Sequence, residues 1–161
     1  MNDLLKLIEN SFPLDPIPDQ VSNVKTSVVS EYLYVEEFFL GKRWTDISMD
    51  ALILEYPGPQ DACLGFMNRE ASLYYLPTFL KICITDYERA DTIVESTISS
   101  ISCADDGFGS RADPDKYAGY TTEQRESIAL FLKHIKALHE EDFPGYPFGA
   151  NIAFWRRPPH E

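Results

Sequence analysis

Three cysteines, three histidines and a long series of carboxylates are the residues of this chain that could do chemistry. A nucleophilic thiol or a zinc cage needs paired ligands or a basic neighbour, and Cys63, Cys83 and Cys103 form neither a C-x-x-C pair nor a close pair with histidine. In a reducing compartment they read as three small buried hydrophobes. His134 and His139 stand five apart, off the i, i+4 pairing of a helical zinc site, and His160 belongs to the terminal tail. Neither a metal nor a cofactor is expected. The segment Asp105-Asp106-Gly107-Phe108-Gly109-Ser110-Arg111-Ala112-Asp113-Pro114-Asp115 invites a calcium reading, but its register refuses one. Counted from Asp113, the turn position holds Ala118 where glycine is required and the closing position holds Gln124 where a bidentate glutamate is required. An acidic, glycine-containing surface loop over 104–120 is the expectation.

Carboxylates could also act without a metal, as a general acid and base or as a binding face. Net charge is −12, and residues 86–115 hold eight acids against Arg89 and Arg111, so half of the charge falls in about a fifth of the chain. A second acidic stretch is the first forty residues, with seven acids against Lys6 and Lys25. Such a balance opposes contact with nucleic acid phosphates or anionic lipid and favours a basic protein partner. Asp86, Glu88, Asp91, Glu95, Asp105 and Asp106 are the candidate partner-binding residues; a merely solvated face is the plainer reading of the same pattern. A different site is suggested by Tyr74-Tyr75-Leu76-Pro77, where a proline interrupts a long helical pattern. A kink at Pro77 could open a pocket lined by Tyr74 and Tyr75, with Glu70 or Asp86 as its polar group. Neighbouring tyrosines on a helix point in different directions, so at least one of the two is expected in the core.

These residues must be positioned by helices. Asn2–Asn10 reads as a short amphipathic helix, followed by a connector held extended by Pro13, Pro16 and Pro18. Ser30 is a candidate cap for a helix over 31–40 closed by Gly41, and Ser48 for one over 49–56 stopped by Pro57-Gly58-Pro59. A short helix over 60–67 leads to Asn68, which can cap the helix carrying Leu73, Leu76, Leu80, Cys83 and Ile84 at helical spacing. A weaker helix is expected over 90–102. Thr121 with Gln124 forms a capping box ahead of Ile128, Phe131, Leu132, Ile135 and Leu138. Residues 143–161 form an aromatic, proline-rich tail, expected to fold back over a helix face or else to present an aromatic contact surface.

The order of an N-terminal amphipathic helix, Trp44-x-Asp46-Ile47, Phe66, Tyr75-Leu76-Pro77-x-Phe79-Leu80 and Thr122-x-Gln124 before Phe131-Leu132 resembles an uncharacterised family of small bacterial proteins. The resemblance spans most of residues 4–135, and the 104–120 loop and the tail depart from it. It implies kinship without any catalytic residue to carry over.

The fold expected is mainly α, a single domain over residues 1–161 with about six helices. A small strand pair from Val24–Val29 and Ile152–Trp155 is an optional addition. Apolar residues at 44% supply a core, and no apolar run approaches the roughly 18 residues a membrane helix needs. The acid at Asp3 and the charge at Glu9 do not suit a secretion signal, so a cytoplasmic address is expected. Function is expected to be that of an acidic protein-binding inhibitor of the immunity or antitoxin type. The alternatives are a small-ligand-binding domain or hydrolase at Pro77, or an adaptor without activity.

Overall fold

A computed structural model describes residues 1–22, 29–103 and 118–157. Among the described residues there are nine α-helices, three short 3-10 turns and no strand. The mainly helical expectation holds, while the strand pair is corrected: Ile152–Trp155 lies in a helix, and residues 24–28 fall outside the described residues. The count rises above six because short turns of chain form helices of their own on either side of the long ones. The described residues divide into two compact units, one made of those within 1–11 and 101–161 and the other of those within 12–100.

The middle unit carries α2 (Ser30–Phe39), α3 (Met49–Glu55), α4 (Cys63–Phe66), α5 (Arg69–Thr85), α6 (Tyr87–Ala90) and α7 (Thr92–Ser100). Helix α5 is its axis. Eleven of its residues are buried, on every side, as a helix apolar all round must be. It begins as its sequence requires, because the Asn68 side chain accepts from the Ala71 amide at 2.8 Å. The same Asn68 donates through Nδ2 to the Gln20 carbonyl, and its backbone N–H donates to Val21, so one cap also anchors the N-terminal connector. Glu36 on α2 completes that anchor by accepting from the amides of Val21 and Ser22 at 2.8 and 2.7 Å. These two amides are thereby satisfied in a segment with no ladder to join.

Phe39, Tyr56, Tyr75 and Phe79 form the aromatic centre of this unit, with edge-on contacts from Phe39 to Tyr56 and Tyr75 and a tilted one to Phe79. Gly41 closes α2 with φ of 76°, the left-handed conformation expected of it. Ser48 caps α3 by accepting from Ala51 at 3.1 Å. Ser30, by contrast, lies inside α2, whose cap position is Val29 and makes no side-chain bond.

The other unit is built on α8 (Thr122–His139), entered by the reciprocal Thr121–Gln124 capping box. Helix α1 (Asn2–Ser11) and helix α9 (Phe148–Trp155) pack on it. Residues 148–155 therefore pack back against α8, and they do so as a helix. Phe148, Asn151 and Trp155, at helical spacing, form the buried side of α9, and two specific bonds hold it to the 101–103 segment. Asn151 Oδ1 accepts from the Cys103 amide at 2.6 Å, and Trp155 Nε1 donates to the Ile101 carbonyl at 2.9 Å.

Candidate functional site

Helix α5 is capped by Asp86, and the chain turns at once into α6 and then α7, so four of the acidic residues predicted as a binding face, Asp86, Glu88, Asp91 and Glu95, follow one another from the end of α5 through α6 into α7. Asp86 is half-buried: its Oδ2 accepts from the Thr85 hydroxyl at 2.7 Å and its Oδ1 from Arg89 at 3.2 Å. Glu88, Asp91 and Glu95 are exposed. Asp91 joins α6 to α7 with φ of 43° and ψ of −116°, a backbone region that glycine prefers, which explains why the helix expected over 90–102 is broken there. The next residues still restart a helix, with the Val94 amide donating to the Asp91 carbonyl.

Arg89 is the one base within this run, and its charge is spent locally. Its guanidinium bonds Asp50 at the start of α3 as well as Asp86, and the Asp50 bond, foremost, raises its already high pKa. The face as a whole stays negative around a neutralised centre. Asp105 and Asp106, the remaining residues of the predicted face, lie outside the described residues.

The Pro77 region is differently occupied. Tyr74 donates its hydroxyl to the Leu14 carbonyl at 2.7 Å. Tyr75, fully buried, places its hydroxyl 2.6 Å from the Phe39 carbonyl and 2.7 Å from that of Lys42. Thr78 donates to the Trp44 carbonyl, and Trp44 Nε1 to Pro13. One side of α5 thus pins the proline connector and the chain after α2 through side-chain donors. Burial raises the pKa of both tyrosines, which keeps them protonated and able to donate. Pro77 itself is buried, and Glu70 is exposed near the start of the helix.

All three thiols are buried. Burial pushes those of Cys63 and Cys83 up to about 12, so both are neutral at physiological pH and poor nucleophiles. Cys63 lies against the Tyr56 hydroxyl and Cys83 against Thr97, each as a small core residue with a polar neighbour. His134 on α8 has its pKa lowered by burial, and His139 lies 3.8 Å from Asp142. Among the described residues no group of three or more His, Cys, Asp or Glu side chains could hold a metal ion. None of the described helices is long and apolar enough to cross a membrane.

The sequence reading missed α3 as part of this surface. Met49 and Leu52 are its buried side, with Tyr56 continuing the stripe, while Asp50, Ile53 and Leu54 face outward. The signal was present in the spacing, since 50, 53 and 54 share one helical face; what was absent was any sign that Asp50 reaches Arg89.

The chain belongs to a family of unknown function, DUF6714, whose model matches residues 1–158. The match takes in the 104–120 segment, which departs from the resemblance, and most of the C-terminal region beyond residue 135. No curated protein and no solved structure matches the chain.

Proposed function

We propose that this member of a family of unknown function is a protein-binding inhibitor, of the immunity or antitoxin type, that holds a basic partner against the acidic face formed by the end of α5, α6 and α7. One observation carries the reading: Glu88, Asp91 and Glu95 are exposed along two short helices whose single base, Arg89, is already paired with Asp50 and Asp86. The free charge presented to a partner is therefore negative. A complementary partner would be steered to it and would associate faster at low salt. A cytoplasmic setting and the absence of catalysis belong to the same proposal.

The small-ligand reading at Pro77 has weaker support. Its two tyrosine hydroxyls are engaged with backbone carbonyls of the same unit, so a ligand would have to replace those bonds.

The test is capture from native-cell extract on the immobilised full-length protein, with elution by rising salt. One basic protein should be retained in near-stoichiometric amount, and Glu88→Lys with Glu95→Lys should release it at lower salt. Equal retention by the doubly reversed variant would remove this face from the proposal.

A further inference from the structure

We infer that the outward side of α3, Ile53 and Leu54, is the apolar anchor of this interface, and that its occupant is a basic amphipathic helix of the partner. The inference rests on the proposed acidic face and specifies what that face binds. Helix α3 has seven residues and two apolar sides. One is consumed by the core through Met49 and Leu52, which leaves Ile53 46% exposed and Leu54 81% exposed on the other. A single exposed leucine is ordinary, but here two consecutive apolar side chains share a helical face with Asp50.

Asp50 fixes where that face lies. Its carboxylate is bonded by Arg89, which also bonds Asp86, so the outward side of α3 and the start of the α6–α7 acids are joined through one guanidinium. Ile53 and Leu54 follow Asp50 by about one helical turn. The surface therefore combines two exposed apolar side chains with the exposed carboxylate of Glu55 beside them and with the Asp50–Arg89–Asp86 ion pairs that join α3 to the acidic α6. Charge complementarity selects a partner segment with lysine or arginine around an apolar stripe, and an amphipathic helix supplies that pattern with apolar side chains at three- and four-residue spacing. The division of labour is physical: the acids accelerate encounter, and the desolvated apolar contact slows release.

The experiment uses the full chain and two synthetic peptides of about 18 residues. One has leucine on one face and lysine on the other; the second carries serine in place of every leucine at the same charge. The leucine/lysine peptide should bind, and Ile53→Ser with Leu54→Ser should weaken it roughly tenfold or more, through faster release, at both low and moderate salt. Leu33→Ser on α2, where the leucine is 50% exposed, should leave that affinity unchanged. Failure of the leucine/lysine peptide to bind, an unchanged affinity for the α3 variant, or an equal loss for Leu33→Ser would each overturn the anchor.

The serine/lysine peptide separates the two readings. It should bind weakly, respond to Glu88→Lys with Glu95→Lys, and ignore the α3 changes. Loss of that charge response alone would sink the acidic face while leaving the α3 contact standing. Chain mass in solution supplies the remaining arm: a dimer dissolved by the α3 substitutions would assign the face to a second copy and overturn the proposed occupant. Circular dichroism of the α3 variant should match the parent, because Leu54 faces water and Ile53 is about half-exposed, outside the buried side of α3.

Discussion

At the scale of single residues, the tyrosines next to Pro77 show how one residue type can suggest a site and serve as a fastener. Tyr75 is fully buried, and its one hydroxyl proton lies within reach of two carbonyls, that of Phe39 at the end of α2 and that of Lys42 just after it. Replacing it with phenylalanine keeps the ring packed and removes the donor, so those carbonyls lose a partner in a dry setting. Tyr75→Phe is expected to cost about 1–3 kcal/mol, read as a lower denaturation midpoint in urea with unchanged slope. A variant as stable as the parent would show that water replaces the hydroxyl. Burial of one of the pair was legible, since adjacent helical residues diverge; the carbonyl partners lie more than thirty residues away and no local pattern encodes them.

At the scale of elements, capping chemistry was read correctly wherever donor and acceptor are neighbours in sequence. Asn68, Ser48 and Thr121 each make the predicted bond because the geometry is closed within three residues. The helical form of α9 was not legible locally, because its support is remote. Its aromatic and proline-rich surroundings suggested a tail, yet Arg125 on α8, only 8% exposed, donates to the carbonyls of Phe154 and Trp155 at its C-terminal end. A cation there bonds carbonyls of the last turn and meets the negative end of the helix. Arg125→Met retains the stem and deletes those donors. It is expected to lower stability by about 1–3 kcal/mol and to shift Trp155 emission to the red, checked by fluorescence-monitored unfolding with Trp44→Phe as background. Unchanged emission and midpoint would assign the contact no energetic role.

At the scale of the whole molecule, acidity and titration set the response to solution conditions. Burial lowers the pKa of His134 below its ordinary value near 6.5, so the unfolded chain binds the proton first as pH falls. Stability from this group is present above that value and is lost as pH drops through the folded-state pKa. Unfolding midpoints should therefore fall as pH decreases below about 6.5, and His134→Gln should flatten that slope. An identical slope in the variant would place the acid sensitivity in the carboxylates. The same net charge of −12 that favours a basic partner acts over the entire surface, and salt screens all of it.

The sequence by itself determined the helical class, the starts of α3, α5 and α8, the closure of α2 at Gly41, and the sign of the surface. Each depends on periodicity, on capping within one turn, or on a sum over residues. Only the tertiary structure decided that Tyr74 and Tyr75 hold loops, that Arg89 joins Asp50 to Asp86, and that Leu54 faces water while Leu52 does not. Those outcomes depend on which distant carbonyl, carboxylate or apolar surface arrives opposite a side chain. Helix α3 states the difference most plainly: its run of apolar residues specifies a helix able to bury either side, and the packing of the other helices selects which side remains outside.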